Sequence, residues 1–146
     1  MKKVRICYLL LGAACAFSGI ASADEITEWN QLMFQLALGP PATNPTVMAR
    51  VASIVQASVF DAVNGIERRY TPIHVWPTPP TGASARAAPV QAAYASLLKL
   101  YPTQSLTMQF KRSLSLADIL SSGESSESIA KGIEWGQKVP PASWLW

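Results

Sequence analysis

The stretch from Pro45 to Tyr70 constrains the fold most, because it carries the longest unbroken helical pattern in this chain. Valine occurs at every fourth position, so the valine side chains form a row along one side of a helix. The row comprises Val47, Val51, Val55, Val59 and Val63, and it is widened by Met48, Ile54, Ala62 and Ile66. The opposite side is mostly polar and contains Arg50, Ser53, Gln56, Asn64, Glu67 and Arg68. This pattern predicts a core helix that is capped by Thr43 or Asn44 and ends near Asn64 and Gly65.

Four further segments have the apolar spacing of helices, and no alternating pattern of useful length indicates a strand. They are 26–38, 83–100, 105–120 and 126–139, and a proline-rich connector at 70–82 separates the core helix from the second half. Helix packing is expected to account for most of their apolar content. In 105–120 this content is the row Leu106, Phe110, Leu114, Ala117 and Leu120. The sequence therefore predicts an all-α fold of about five helices, a partial helical bundle.

The N-terminus has the organisation of a secretory signal peptide. Lys2, Lys3 and Arg5 precede an apolar run at 6–20, and the small residues at 21–23 form a cleavage site. We expect residues 1–23 to be removed and the product to be secreted or periplasmic, with a helical region at 24–139 and an irregular tail at 140–146. After cleavage no stable membrane span is expected. An uncleaved membrane anchor is the alternative, because the run is close to the shortest length that spans a bilayer.

The charge and cysteine content of the mature chain exclude several classes of function. Three of the twelve lysines and arginines lie in the signal, so residues 24–146 carry nine basic and nine acidic residues. A chain without a basic stripe is not expected to bind nucleic acid. Both cysteines, Cys7 and Cys15, also lie in the signal, which excludes disulfides and thiolate metal sites from the mature chain.

His74, the only histidine, lies in the proline-rich connector. A metal site would need further histidine or cysteine ligands, and a general base would need a nucleophile beside it. A structural or exposed histidine is the simpler interpretation. Asp61 lies beside Asn64 and Arg68 at helical spacing, where a buried carboxylate paired with arginine is more often a clamp between helices than a catalytic acid.

Two other groups of residues have equally simple structural explanations. Arg68 and Arg69 form a pair that could bind an anion, but arginines at a helix end usually face solvent or cap carbonyl groups. The acidic residues Asp24, Glu25 and Glu28 could gather a cation, yet the helix dipole already favours carboxylates near a helix start. Trp144 and Trp146 either dock in an apolar groove or are the exposed end of an incomplete chain. No catalytic, cofactor-binding or metal-ligating residue is assigned.

The chain resembles a known protein family in four segments, which are 26–35, 49–75, 87–102 and 126–139. Together they resemble the N-terminal helical region of secreted bacterial proteins related to vanadium-dependent haloperoxidases, within the type-2 phosphatidic acid phosphatase superfamily. FDAVNGIERRY at 60–70 is the most distinctive piece. The resemblance implies an all-α bundle. It also implies that a complete member binds vanadate, or phosphate as substrate, through lysine, arginine and histidine residues. Cationic donors would stabilise the charged oxygens while an imidazole forms the covalent bond.

The sequence departs from the family where the chemistry would be performed. The family's Ser-Gly-His, its arginine motifs and its second histidine are absent, and Gln56 stands where relatives commonly have histidine. Pro140 and Pro141 break a helix that should continue. The resemblance therefore predicts a secreted scaffold region, from a truncated, frameshifted or partial member, that lacks the catalytic half, is inactive alone and holds no cofactor. The alternative is a small periplasmic helical interaction module. Uncovered apolar helix faces predict self-association in either case.

The signal peptide is testable by expressing the full chain in a bacterial host and measuring the intact mass of the exported protein. We expect a product that begins at Asp24, because the small residues at 21 and 23 fit the cleavage specificity. The double substitution Ala21→Leu and Ala23→Leu should block processing. Exported wild-type protein that keeps residues 1–23 would support the membrane-anchor alternative.

Overall fold

The computed structural model describes residues 22–74 and 78–140, with only the backbone described at 22–24. The elements are α1 (Ser22–Leu38), α2 (Pro45–Glu67), α3 (Ala87–Leu100), α4 (Ser105–Ser121) and α5 (Ser126–Lys138), with a short 3-10 turn at Pro102–Gln104 before α4. These ranges contain five α-helices and no strand, which confirms the predicted all-α class. Residues 1–21 of the predicted signal peptide, Trp144 and Trp146 lie outside the described residues, and the last two residues of that peptide, Ser22 and Ala23, are the first two of α1.

Helix α3 occupies the centre of the fold and contacts each of the other four helices. Most of its residues are buried, including Val90, Ala92 and Leu97. Its many alanines explain this position, because a small side chain lets neighbouring helices approach from several sides while alanine favours the helix itself. The helix begins at Ala87, later than the predicted start at 83. The hydroxyl of Ser84 accepts hydrogen bonds from the backbone N–H of Ala87 (2.9 Å) and of Arg86 (3.3 Å).

Helix α2 is a core helix, as predicted. Val51, Val55 and Val59 are buried, whereas Val47 in the first turn is exposed. Asn44 caps its start by accepting a hydrogen bond from Thr46 N at 2.9 Å. By length and composition α2 could also cross a membrane, the one such helix found among the described residues, but its buried valines place it in the protein core.

Helix α5 packs closely on α3 because two glycines face it. A Cβ at Gly132 would lie 2.8 Å from the carbonyl oxygen of Ser84, and a Cβ at Gly136 would overlap the carbonyl oxygen of Ala88. Gly132 and Gly136 are four residues apart, about one helical turn, so both lie on the same side of α5. Trp135, which the sequence analysis did not single out, lies between them, is fully buried, and donates a hydrogen bond from its indole N–H to Ala62 O at 2.9 Å.

The expectation that the apolar row of 105–120 packs in the core was wrong. The whole row lies on the solvent side of α4. Its exposed fractions are 79% for Leu106, 68% for Phe110, 51% for Leu114 and 52% for Leu120, and Ala117 is exposed as well. Met108, Ser115 and Ile119 face the core instead. Helix α4 therefore has two apolar sides, and we name the five solvent-side residues the α4 outer face.

Polar contacts explain why α4 adopts this rotation. The indole N–H of Trp29 donates to Ser115 Oγ at 3.2 Å in the buried contact between α1 and α4. Arg112 donates to Gln91 Oε1 at 2.5 Å and lies over the ring of Tyr94 at 5.3 Å. Turning the outer face inward would break these contacts and leave buried polar groups without partners, which is costly.

The close approach of α5 to α3 predicts that Gly136→Ala lowers the free energy of unfolding by about 2 kcal/mol, because the added methyl group overlaps Ala88 O. In an open helical position the same change would stabilise the protein by about 1 kcal/mol through helix propensity. Ala130→Gly at an exposed position of α5 measures that propensity alone. Urea unfolding followed by circular dichroism provides both values. A stabilised Gly136→Ala protein would show that the helices are not in close contact.

Candidate functional site

The most buried acidic group among the sequence-derived candidates is Asp61 on α2, whose side chain is 1% exposed. Its carboxylate accepts two main-chain hydrogen bonds from the connector: Ile73 N–H donates to Oδ1 at 2.7 Å and His74 N–H donates to Oδ2 at 2.8 Å. The predicted burial of Asp61 is confirmed. Its partners are backbone amides of the connector, however, and not the Arg68 side chain that the predicted clamp would use.

Asn64, one helical turn after Asp61, holds the same connector at an earlier point. Its side-chain amide donates to Tyr70 O at 2.7 Å, and its oxygen accepts from Tyr70 N at 2.8 Å. Asn64 was placed on the polar side of α2, and it is only 4% exposed because it binds the connector. Tyr70 also packs its ring against Phe60, with 6.1 Å between ring centroids. Asp61 and Asn64 together fix the chain direction after α2.

His74 lies against Asp61, with 3.9 Å between Nδ1 and Asp61 Oδ2, and its side chain is 21% exposed. A general base needs a nucleophile within hydrogen-bond distance and a free position for substrate. The Asp61 carboxylate instead accepts hydrogen bonds from two main-chain amides, and these bonds hold the histidine in place. This arrangement is suited to anchoring a loop, in agreement with the structural interpretation of His74.

A second polar cluster connects α1, the start of α3 and α4. Arg86 binds the buried carboxylate of Glu25 through Nε at 2.9 Å and through Nη2, and it lies 3.6 Å from Asp118. Lys111 pairs with Glu28 across α1 and α4. Two of the three carboxylates that could have gathered a cation, Glu25 and Glu28, are thus paired with Arg86 and Lys111, and the side chain of Asp24 lies outside the described part of the structure. A cleft between α1 and α4 is lined by Glu25, Glu28, Lys111, Leu114, Ser115 and Asp118.

The remaining sequence candidates lie at element ends or on the surface. Arg68 adopts a left-handed conformation (φ 54°, ψ 39°) as the C-cap of α2, and Arg69 pairs with Glu67 at 3.1 Å. Gln56 donates to Asn30 at 2.5 Å on an exposed surface. On α5, a hydrogen bond from Lys131 and the charge of that lysine lower the pKa of the exposed Glu127. Within residues 22–74 and 78–140, no group of three or more histidine, cysteine or acidic residues is arranged to hold a metal ion.

The α4 outer face is the feature that the sequence analysis missed. Phe110 and Leu114 lie in its middle, and both are more than half exposed. Several large apolar side chains on one exposed helix face are typical of a surface that contacts another macromolecule. The row itself was visible in the sequence, but its spacing did not reveal which side of α4 faces the core.

The anchoring role of Asp61 predicts that Asp61→Asn lowers the free energy of unfolding by about 2 kcal/mol. A charge-assisted hydrogen bond is lost, and the side-chain NH2 of asparagine then faces a main-chain N–H of the connector. Asp118→Asn is the matched control, because Asp118 is 73% exposed and pairs with Arg86 only at 3.6 Å. Its effect should stay within about 0.5 kcal/mol. Equal effects of the two substitutions in urea unfolding would contradict the assigned role.

Comparison with protein-family models, curated proteins and solved structures gives no match for this chain. The resemblance to the haloperoxidase and phosphatase superfamily therefore stays a prediction that depends on the four quoted segments.

Proposed function

We propose that this chain is a secreted or periplasmic helical scaffold without a catalytic centre of its own. In this proposal it corresponds to the N-terminal region of a vanadium haloperoxidase-like or acid phosphatase-like protein, and the anion pocket for vanadate or phosphate belongs to a later half that this sequence lacks. The chain would supply packing surface and not reacting groups.

The observation that carries the proposal is the α4 outer face. A helix that is apolar on two sides is suited to the interior of a bundle, where helices pack against both sides. Here Met108 and Ile119 are covered by the other helices, while Phe110 and Leu106 are exposed. Further helices laid on this side would complete α4 as a two-sided core helix.

The polar groups support the same conclusion. Asp61 and Asn64 are occupied by the connector backbone, and Glu25 is occupied by Arg86. These side chains maintain the shape of the helical unit, which is what a scaffold requires.

A second candidate function is a small helical interaction module that binds a separate partner. The closed core around α3 favours it. Trp29 and Trp135 are each buried and each donate a hydrogen bond across helices, so the described helices have an interior of their own. A unit with such an interior can unfold cooperatively without further helices.

Thermal unfolding with and without vanadate or phosphate tests the absence of an anion site. An anion that binds only the folded state should add about 2.7 kcal/mol at 100 times its Kd. That would raise the Tm by roughly 10 °C for a domain of this size. We expect a change below about 1 °C. A large shift, lost in the double variant Arg68→Ala and Arg69→Ala, would overturn the proposal.

The same experiment separates the two functions. A cooperative transition in circular dichroism favours the interaction module, whereas helical signal without a cooperative transition favours a scaffold that depends on its missing half. The protein should be the full chain, expressed with its own N-terminal segment and purified from the fraction in which it accumulates.

A further inference from the structure

We propose that the α4 outer face binds a second copy of this chain, with the two α4 helices packed antiparallel about a two-fold axis near residues 113 and 114. This inference rests on the proposed function, in which the α4 outer face is a packing surface, and it names the partner.

The shape of the α4 outer face fits a helix partner. At 100° per residue its five side chains fall within about 120° of the helix circumference, and from Leu106 to Leu120 they extend over about 21 Å. A long, narrow apolar row is the form in which one helix contacts another along its length.

The α4 outer face can pack against a second, antiparallel copy of itself, because large and small side chains then lie opposite each other. In a two-fold interface, residue i meets residue j and residue j meets residue i. About an axis near 113 and 114, Leu106 meets Leu120 of the second copy, and the large Phe110 meets the small Ala117. Leu114 then lies opposite Ser113, which is also exposed and small. Large side chains are thus matched with small ones at the centre, as interdigitated packing requires.

The charges beside the row select the same arrangement. Lys111 and Asp118 are seven residues apart, so both lie on one flank of the α4 outer face. The antiparallel arrangement brings Lys111 of each copy opposite Asp118 of the other. In a parallel pair the equivalent flanks of the two helices lie on opposite sides of the interface, so Lys111 of one copy would not meet Asp118 of the other. Asp118 is 73% exposed and accessible to a partner, while Lys111 already pairs with Glu28 on the same side.

The size of the row implies a weak and reversible dimer. The exposed apolar area is on the order of 400 Å² per copy, judged from the usual areas of leucine and phenylalanine side chains. Two copies would then bury roughly 800 Å², which is less than the roughly 1,200 Å² of the smallest stable interfaces and is in the range of weak, transient contacts. We therefore expect a Kd of about 10 to 100 µM.

Sedimentation equilibrium of the purified full-chain product over roughly 1 to 500 µM tests the proposal. The wild-type mass should rise with concentration from monomer towards dimer. Phe110→Glu should weaken the dimer at least about 30-fold, since it places a charge at the centre of the interface. Leu38→Glu is the matched control, because Leu38 is 65% exposed on α1 and lies outside the α4 outer face, so its dimer should match the wild type. Circular dichroism verifies that each variant is folded.

A charge exchange tests the antiparallel register. Lys111→Glu alone and Asp118→Lys alone each place like charges opposite each other, and each should weaken the dimer about 5-fold or more. A mixture of the two variants restores opposite charges at both positions and should regain wild-type association. Single variants that dimerise as well as the wild type would overturn this register.

A protein that remains monomeric at the highest concentration would overturn the second copy as partner. The dye ANS, which binds exposed apolar surface, then shows whether only the dimer is wrong or the proposed scaffold function as well. Dye binding that Phe110→Glu abolishes would leave the α4 outer face as a packing surface for other helices. Dye binding that is unaffected by Phe110→Glu would remove the main support for the proposed scaffold as well. Phe110-dependent binding of a monomer to phosphatidylcholine vesicles would identify a lipid surface and overturn the dimer.

Discussion

The close approach of helices to α3 is the constraint on which the rest of the structure depends. Gly132 and Gly136 allow α5 to lie against the backbone of α3 near Ser84 and Ala88. This contact places Trp135 over Gly65 of α2, where its indole reaches Ala62 O. Small residues on three helices therefore fix one large aromatic side chain, and that side chain joins α5 to α2 through the interior. A core built in this way tolerates little change in side-chain volume, since its helices are separated by backbone and methyl groups.

Buried polar groups complete the arrangement by fixing the connector and the position of α1. Asp61 and Asn64 turn the chain back along α2 after Tyr70, because Asn64 binds Tyr70 and Asp61, one turn earlier on α2, binds Ile73. At the start of α3, Arg86 reaches Glu25 of α1 and Ser122 at the end of α4. A charged group in the interior is stable only when its hydrogen bonds are satisfied. Each of these groups consequently specifies which segment must lie beside it. They contribute to the choice of one fold as well as to its stability.

The sequence was sufficient for the local features and insufficient for those decided by distant residues. Helix positions, the Asn44 cap of α2 and the glycine contact of α5 follow from spacing and residue type within one segment. The rotation of α4 does not, because both of its sides are apolar and its orientation depends on Trp29 and Gln91, which are far away in sequence. The burial of Asp61 was predictable for a carboxylate on the core helix. Its partners were not, because main-chain amides of a connector have no side-chain signature.

The same contacts that orient α4 also create its exposed apolar side. Ser115 and Arg112 are polar residues on the inward side, and each is held by a partner on another helix. Because these partners fix the inward side, the larger apolar residues Leu106, Phe110 and Leu114 are left facing solvent. A helix selected only for the stability of an isolated unit would have polar groups on its solvent side, with its apolar groups inside as Met108 and Ile119 are here. The additional apolar side of α4 is therefore the strongest physical reason to assign this helix to contact with other helices.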